Sequence, residues 1–318
     1  MAVVATTSPD QPKRQPRFNW RMLLIIAGTL FLLFFAFVEI APFVLTIANS
    51  FKCQSAVQNA PGAIVPVPPF GASCFNDAGD RRPYTDMVDG ATFNPTWLGY
   101  QTVFNEDLPR WLFNTIFLST AITILRLIFD SMAGYALARL KFPGNRLMFL
   151  MILGTLMIPG VVLIIPRFII LKQLGMLNSY QGFIITLAVD AFGIFLMKQF
   201  FEAIPAEIEE AAQVDGASRF TIFFRIVLPM ATPALTALTI FSFQGQWNNF
   251  MDALIILGGN KDLYNLPLGL SVLRGAGDAI QFERVLPGSV ITTIPMAIIF
   301  FIFQRYFVEG ISYSGLKG

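Results

Sequence analysis

The fold is decided by a polar connection between two apolar stretches, which reads IPAEIEEAAQVDGASRFTIFFRIVLP from Ile204 to Pro229. Pro205 suits the first turn of a helix, and the acidic residues that follow complement the positive end of the helix dipole. Asp215 and Gly216 form a turn signal, because glycine adopts positive φ without steric cost. Ser218 then predicts the N-cap of a second short helix. The connection is therefore predicted to be a helical hairpin over 204–229.

The first half of this hairpin combines negative charge with small side chains. The alanines let another surface approach the backbone closely, while the glutamates offer charge-assisted contacts to a basic partner. A hairpin resting on lipid headgroups is the alternative, but closely spaced glutamates oppose it because the cytoplasmic leaflet is negative. The residues expected to dock another protein are Glu207, Glu209, Glu210, Ala211, Ala212, Asp215 and Gly216.

Six long apolar stretches make up most of the chain, which has 318 residues, is 55% hydrophobic and only 13% charged. Average soluble domains carry about 25% charged residues, so a water-facing surface is poorly supported here. A spanning helix needs about 20 mostly apolar residues to cross about 30 Å of hydrocarbon. The sequence therefore predicts an all-α integral membrane protein with six transmembrane helices. The stretches that meet this length are 21–50, 111–140, 147–171, 180–200, 226–257 and 285–308.

The orientation of these helices follows from Lys and Arg, which concentrate in cytoplasmic connections. They are denser on the side that contains both chain ends, as at Lys13, Arg14, Arg139, Lys141 and Arg146. Both termini are therefore expected in the cytoplasm. The expected organisation is a tail 1–20, a first transmembrane helix 21–51, an external loop 52–110, a core of five transmembrane helices 111–308 that contains the hairpin, and a tail 309–318.

The predicted external loop holds both cysteines of the chain, Cys53 and Cys74. The outer side of the membrane is oxidising, which favours a bridge between them. Such a bridge would close a loop of about 22 residues and stabilise it by roughly 3 kcal/mol. Two free thiols are the alternative. The bridge would be a structural staple without a redox role.

Composition excludes several kinds of chemistry. The sequence contains no histidine, which removes imidazole metal sites and Ser-His-Asp triads. A net charge of +2 is too balanced for a nucleic-acid partner. No P-loop consensus occurs, so the chain has no means of its own to bind ATP phosphates in that way. We therefore expect no enzyme activity, no metal and no cofactor, with membrane lipid as the surroundings.

Ionised side chains inside the apolar stretches need partners, since each costs about 2.5–3.5 kcal/mol at mid-membrane on insertion scales. Arg126 and Asp130 are four residues apart on one helical face and are predicted to neutralise each other. Asp190 is expected in the interior of the helix bundle. Two interpretations of Asp190 stay open, a polar lining of a solute path and a hydrogen bond between helices.

A second polar group lies in the fifth apolar stretch. Amides both donate and accept hydrogen bonds, and one face of a sugar is apolar enough to lie on an indole ring. The alternative is that the amides cross-link helices and the tryptophan marks the membrane interface. With Asp190, the residues of this possible substrate path are Gln244, Trp247, Asn248 and Asn249.

The hairpin resembles the EAA signature of the membrane subunits of bacterial ABC importers. The match consists of Glu210-Ala211-Ala212, then Gly216, and then Ile226, Leu228 and Pro229 in register. Further segments resemble the carbohydrate branch of that family, namely GYALARLKFPG at 134–144, FLMKQFF at 195–201, VDGA at 214–217 and WNNF at 247–250. Within the branch, the chain is similar to the shorter, six-helix partner of permease pairs of the maltose and glycerol-3-phosphate type.

The resemblance implies a type I ABC importer permease fold, in which this subunit forms a heterodimer with a second permease. The hairpin would be the coupling helix, seated on two cytoplasmic ABC ATPase subunits that supply the energy. The cargo would be a carbohydrate delivered by an extracytoplasmic sugar-binding protein. Two features depart from the family: the loop 52–110 is longer than expected, and Asp190 stands where an uncharged residue is expected.

An ion-coupled secondary transporter of a small polar solute is the alternative function. It would need broken helices in corresponding halves and an intramembrane carboxylate as its ion site. Asp190, Pro229 and Pro233 support it. However, the sequence shows no internal repeat, and six helices in one unrepeated chain are few for that class.

Overall fold

A computed structural model describes residues 20–59, 62, 97–274 and 280–315. Over these residues, the regular structure consists of helices, without a strand, as the composition predicts. The predicted tail 1–20 falls almost entirely outside this part of the chain, and so do Cys74 and most of the predicted external loop. Cys53 is buried and is not a free thiol. Its pairing with Cys74 stays a prediction.

The chain folds into helical segments of very different lengths. In the first half they are α1 Trp20–Ser50, α2 Gln54–Asn59, α3 Leu98–Asn105, α4 Leu108–Arg139, α5 Asn145–Leu156 and α6 Ile164–Gln173, which a 3-10 turn at Gly160–Leu163 precedes. In the second half they are α7 Tyr180–Leu187, α8 Ala191–Ala203, α9 Ala206–Val214, α10 Arg219–Ile222, α11 Leu228–Met230, α12 Thr232–Trp247, α13 Met251–Leu257, α14 Leu266–Leu273 and α15 Phe282–Gly315.

The segments long and apolar enough to cross a membrane number four among the described residues, or up to six if each of two bent pairs counts as one span. The four are Trp20–Ser50, Leu108–Arg139, Tyr180–Ala203 and Phe282–Phe303. The pair Asn145–Leu156 and Gly160–Gln173 bends by 99°, and the pair Arg219–Met230 and Thr232–Trp247 bends by 78°.

The predicted third and fifth spans are therefore not straight helices. Pro159 and Gly160 lie at the 99° bend, where proline removes a backbone donor and clashes with the preceding turn. Pro233 lies in the first turn of α12, directly after the 78° bend. The fifth stretch is interrupted again after Trp247, and helix resumes only at Met251.

The predicted fourth span is also broken, between α7 and α8. The sequence predicts Asp190 within the fourth transmembrane helix. In the structure, Asp190 is instead the N-cap of α8. Its carboxylate accepts a hydrogen bond from the backbone N–H of Gly193, at 3.3 Å. Capping satisfies one of the backbone donors that the break leaves without a helical partner.

The chain divides into two units, Met1–Leu45 and Thr46–Gly318. The described part of the first unit is the beginning of α1, which exposes apolar side chains along its length. The second unit contains two clusters of buried apolar side chains. One cluster includes Trp111, Phe183, Trp247 and Leu257, and the other includes Met197, Phe201, Ile222 and Val227. Residues of α4 contribute to both clusters.

Close packing between α4 and α8 depends on Gly134. A Cβ atom placed on Gly134 would lie 2.8 Å from the Cβ of Met197 and 2.9 Å from the backbone nitrogen of Lys198. Real Cβ atoms essentially never approach other atoms so closely. A larger residue would therefore force α4 and α8 apart.

The other end of α4 is tied to the connection between α13 and α14. The side-chain amide of Asn114 donates to the carbonyl oxygens of Asp262 and Tyr264, at 2.8 and 2.9 Å. The indole N–H of Trp111 donates to the carbonyl of Lys261 at 3.2 Å. Arg110 forms an ion pair with Asp262 at 3.2 Å. The start of α4 is thus fixed by side chains of its first two turns.

We expect Gly134→Ala to lower the free energy of unfolding by about 1–3 kcal/mol, because overpacking separates α4 from α8. The matched control is Gly154→Ala in α5, where no atom lies within 4 Å of the added Cβ. That control should leave stability unchanged or raise it by about 0.5–1 kcal/mol through helix propensity. Thermal unfolding in detergent measures both, and equal stability of the two variants would contradict the packing argument.

Candidate functional site: the 204–229 hairpin and the polar residues between the helices

The hairpin has the local structure that its sequence predicts. Gly216 has a φ of 82° at the turn after α9, and Ser218 caps α10, with its hydroxyl accepting from the backbone N–H of Thr221 at 3.2 Å. The second helix extends further than expected, because a π-helical turn at Phe223–Val227 joins α10 to α11. The hairpin therefore continues without a loop toward the 78° bend.

The seven predicted docking residues lie on two different faces. Five are exposed, namely Glu207, Glu210, Ala211, Asp215 and Gly216, and the neighbouring Val214 is 89% exposed. Glu209 and Ala212 are buried against the rest of the chain, at 4% and 9% exposure. A helix with a period of 3.6 residues separates such positions onto opposite sides. We call the five exposed residues and Val214 the outer face of the hairpin.

Glu209 is held inside the chain. Its carboxylate forms an ion pair with Nε of Arg139 at 2.8 Å and accepts a hydrogen bond from the hydroxyl of Tyr135 at 2.9 Å. Arg139 also donates to the carbonyl of Ile204. The sequence predicts a contact between Glu209 and a basic partner chain, but the structure gives that role to the protein's own Arg139. Only the other two glutamates remain exposed for an external contact.

The break in the fourth span is held by two charged side chains of α4. Nε of Arg126 donates to the carbonyl of Leu187 at 2.8 Å, and the backbone N–H of Asp190 donates to Oδ1 of Asp130 at 3.0 Å. The guanidinium of Arg126 also lies 3.9 Å from Oδ1 of Asp190. Backbone groups inside a membrane must find partners in the protein, because no water is available there.

Arg126 and Asp130 do not form the predicted direct ion pair with each other, since each side chain bonds across to the break instead. Asp130 is fully buried. A Cβ on Gly193 would lie 2.1 Å from Oδ2 of Asp130, so only glycine lets the first turn of α8 approach this carboxylate. The break between α7 and α8, Gly193, Arg126 and Asp130 are therefore in mutual contact and form one packed group.

The residues of the possible substrate path do not form one cluster. Trp247 is only 1% exposed and stacks on Phe243, with ring centroids 5.7 Å apart. Gln244 and Asn248 are exposed, and the amide of Asn248 donates to the carbonyl of Gln244 at 3.0 Å. Among the described side chains, no hydrogen bond or ion pair joins Asp190 to these residues. Trp247 therefore belongs to the core in this structure.

Asn249 lies in a network that connects helices. Its amide nitrogen donates to Oε1 of Gln246 at 3.2 Å and to Oδ2 of Asp252 at 3.1 Å. Asp252 forms an ion pair with Arg167 of α6 at 2.8 Å, and the amide of Asn265 donates to the carbonyl of Asn249 at 2.6 Å. These contacts are those expected if the amides cross-link helices.

Sequence reasoning missed three important partners, Tyr135, Arg139 and Arg167. From the sequence, Arg139 indicates only the orientation of the chain, and Tyr135 belongs only to a segment that resembles the carbohydrate branch. A signal was present, because each of these polar side chains lies within or at the end of an apolar stretch. Over the described residues, no group of three His, Cys, Asp or Glu side chains is placed to hold a metal ion.

Spanning helices with a helical hairpin between two of them are the architecture of a transport permease. The chain belongs to the family of binding-protein-dependent transport system inner membrane components, which matches residues 130–313. It is a multi-pass membrane permease subunit of an ABC transport system, and it is not itself an enzyme. The family confirms the resemblance that the hairpin sequence indicates.

Three relatives are named as permease proteins of transport systems, two of them for sugars. The chain is 37% identical to the arabinooligosaccharides transport system permease protein AraQ of Halalkalibacterium halodurans, over 74% of this chain and 87% of that protein. It is 31% identical to the trehalose/maltose transport system permease protein MalG of Thermococcus litoralis, over 66% and 76%. It is 34% identical to the sn-glycerol-3-phosphate transport system permease protein UgpE of Pectobacterium atrosepticum, over 63% and 71%.

A solved structure shares the fold. It is the crystal structure of a bacterial ABC transporter involved in the import of the acidic polysaccharide alginate, with a TM-score of 0.70. The match covers 92% of this chain and 100% of that chain at 24% sequence identity. The chain thus has the type I ABC importer permease fold, as the resemblance implies.

We expect Asp130→Leu to lower the free energy of unfolding by about 1–3 kcal/mol, because the N–H of Asp190 would lose its acceptor. The matched control is Asp130→Asn, which keeps an oxygen at the same place and should cost clearly less. Thermal unfolding in detergent distinguishes the two. If Leu and Asn were equally destabilising, the carboxylate would not act as the acceptor for the break.

Proposed function

We propose that this chain is one permease half of an ATP-driven importer of carbohydrates. With a second, related permease it forms the translocation path, and it couples to two cytoplasmic ATPase subunits through the hairpin. An extracytoplasmic binding protein delivers the cargo. The sugar-transport names of AraQ and MalG support the substrate class, and the family description supports the binding protein. The ion-coupled alternative is not favoured, since relatives are permeases of ABC transport systems.

The observation that carries this proposal is the outer face of the hairpin. Ala211 is exposed and small, so a partner surface can approach the backbone of α9 closely. Glu207 and Glu210 place two carboxylates beside it, and Val214 adds an apolar side chain that is 89% exposed. Charge-assisted bonds around a small apolar centre are typical of docking surfaces. An ATPase with a basic rim around a shallow groove fits this face.

The orientation that we propose places the hairpin and both termini in the cytoplasm of a bacterial cell, at the inner membrane. The excess of Lys and Arg on that side supports it. Each bent pair counts as one span in this arrangement, which gives six spans. The loop 52–110 then faces outward, where Cys53, which is buried, forms a structural bridge with Cys74.

Within the membrane, we assign Gln244 and Asn248 to the solute path, because both are exposed polar side chains on a membrane-spanning segment. Asp190 contributes partly, since 35% of its side chain is exposed beside Arg126. We assign a structural role beside the path to Trp247, which stacks on Phe243, and to Asn249, which bonds Gln246 and Asp252. Hydroxyl-rich cargo suits amides, which both donate and accept.

The test is Ala211→Asp, with Ala203→Asp as the matched control. Both alanines are exposed, but Ala203 lies at the end of α8, outside the outer face. A carboxylate forced into the ATPase contact without a partner should reduce binding and uptake by about tenfold or more. The measurements are co-purification of the ATPase subunits and uptake of arabinooligosaccharides by cells that produce the full complex.

We expect the Ala203→Asp complex to retain its ATPase subunits and its uptake, and both variants to insert into the membrane. If Ala211→Asp kept its ATPase subunits and transported at the rate of the unmodified chain, the hairpin would not be the coupling surface. Loss of membrane insertion in Ala211→Asp alone would also count against the proposal, because an exposed residue should not be needed for the fold.

A further inference from the structure

The hairpin is joined to α4 by three side chains, Tyr135, Arg139 and Glu209, which we call the α4–α9 joint. The carboxylate of Glu209 forms an ion pair with the guanidinium of Arg139, at 2.8 Å, and accepts a hydrogen bond from the hydroxyl of Tyr135, at 2.9 Å. The side chains of Glu209 and Arg139 are only 5% and 14% exposed. An ion pair in such a position is poorly screened by water, and the hydrogen bond from the Tyr135 hydroxyl to the carboxylate is directional.

Both ends of the hairpin meet at the same joint. Arg139 donates to the carbonyl of Ile204, the first residue of the hairpin, two residues before α9 begins. The ring of Tyr135 lies 4.9 Å from the ring of Phe223, in the π-helical turn where the hairpin returns, and 5.9 Å from the ring of Phe201 in α8. The last turn of α4 therefore contacts the beginning, the middle and the end of the hairpin.

From the joint, α4 continues without a break to its other anchored end. Helix runs from Leu108 to Arg139, and the amide of Asn114 fixes the far part to the connection between α13 and α14. At 1.5 Å per residue, the distance from Arg139 to Asn114 is roughly 37 Å, more than the hydrocarbon thickness of about 30 Å. By comparison, the helix is interrupted in the segment Tyr180–Ala203 and in each of the two bent pairs.

We propose that Tyr135, Arg139 and Glu209 are positioning residues that transmit movement of the hairpin to α4, and through α4 to the opposite end of the span. The inference rests on the proposed function, since movement of the hairpin requires a docked ATPase. None of the three side chains contacts cargo or nucleotide in this role.

The geometry favours transmission over simple attachment. Apolar contacts slide at little cost because dispersion has no preferred direction, whereas hydrogen bonds weaken steeply when their angle changes. A hydrogen bond from Tyr135 and an ion pair with Arg139, both to one carboxylate, restrict the tilt and the rotation of α9 relative to α4. The hairpin and α4 should then move as one body when the ATPases close.

The experiment measures whether they move together. Spin labels are placed at Gln213→Cys in α9 and Phe113→Cys near the far end of α4, both exposed positions, with Cys53→Ser and Cys74→Ser. The full complex, with its second permease and ATPase subunits, is studied without nucleotide and after trapping with ATP and vanadate. In the otherwise unmodified chain, the distance between the two labels should be the same in both states.

The test variant is Glu209→Gln, which keeps the shape and an acceptor oxygen but removes the charge. With this variant, trapping should shift the distance by about 2 Å or more and broaden it, because α9 moves without α4. The matched control, Glu202→Gln, removes the charge of an exposed glutamate that pairs with Lys198 within α8. It should behave as the unmodified chain.

A cycle of variants tests whether the three side chains act as a unit. Arg139→Met should give the same shift as Glu209→Gln, and the double variant should give no larger shift, since a single interaction can be lost only once. Arg139→Lys, which retains the positive charge, should recover part of the unmodified behaviour. Tyr135→Phe is the mildest change and keeps the test valid if the charge variants fail to fold, and it should shift the distance less than Glu209→Gln.

Two results would overturn the inference. If Glu209→Gln or, failing that, Tyr135→Phe left the distance between the labels constant on trapping, the joint would be a passive attachment. If the distance changed in the unmodified chain, the hairpin and α4 would not move as one body. Failure of the unmodified chain to co-purify with any ATPase is a different result, because it would remove the proposed function itself.

Discussion

The absence of water from the membrane interior is the constraint on which the rest of this structure depends. A helix that is interrupted there exposes backbone groups that only the protein can satisfy. At the break between α7 and α8, Arg126 and Asp130 satisfy them from α4. Arg126 and Asp130 are therefore partners of interrupted backbone, and Arg167 and Asp252 are partners of each other, which explains why a chain so poor in charge retains these four residues.

A single long helix, α4, connects the features that matter for transport. It holds the break beside Asp190 in its middle, the hairpin at one end through Glu209, and the connection between α13 and α14 at the other. If the hairpin is the coupling surface, as we propose, force that enters at its outer face has to reach the segments that line the path. Because α4 is unbroken and is bonded at both ends and near its middle, it provides a direct route for that force.

The sequence was sufficient for the class of protein, the hairpin, the turn at Gly216 and the cap at Ser218, because composition and capping are local signals. The sequence did not predict which groups the charged residues contact. Arg126 and Asp130 are correctly spaced for a pair along one helix, yet both bond to backbone about 60 residues away. Pro229 and Pro233 do mark an interruption of the fifth apolar stretch, whereas the bend of the third stretch was not predicted, although Pro159-Gly160 could have indicated it.

The account depends most on the outer face of the hairpin lying in the cytoplasm, within reach of an ATPase. A membrane-impermeant maleimide, applied to Val214→Cys and read at that position by mass spectrometry, tests this directly. We predict labelling in inside-out vesicles stripped of ATPase subunits, protection when the subunits are restored, and no labelling in intact spheroplasts. Labelling of position 214 from outside intact spheroplasts would contradict the account.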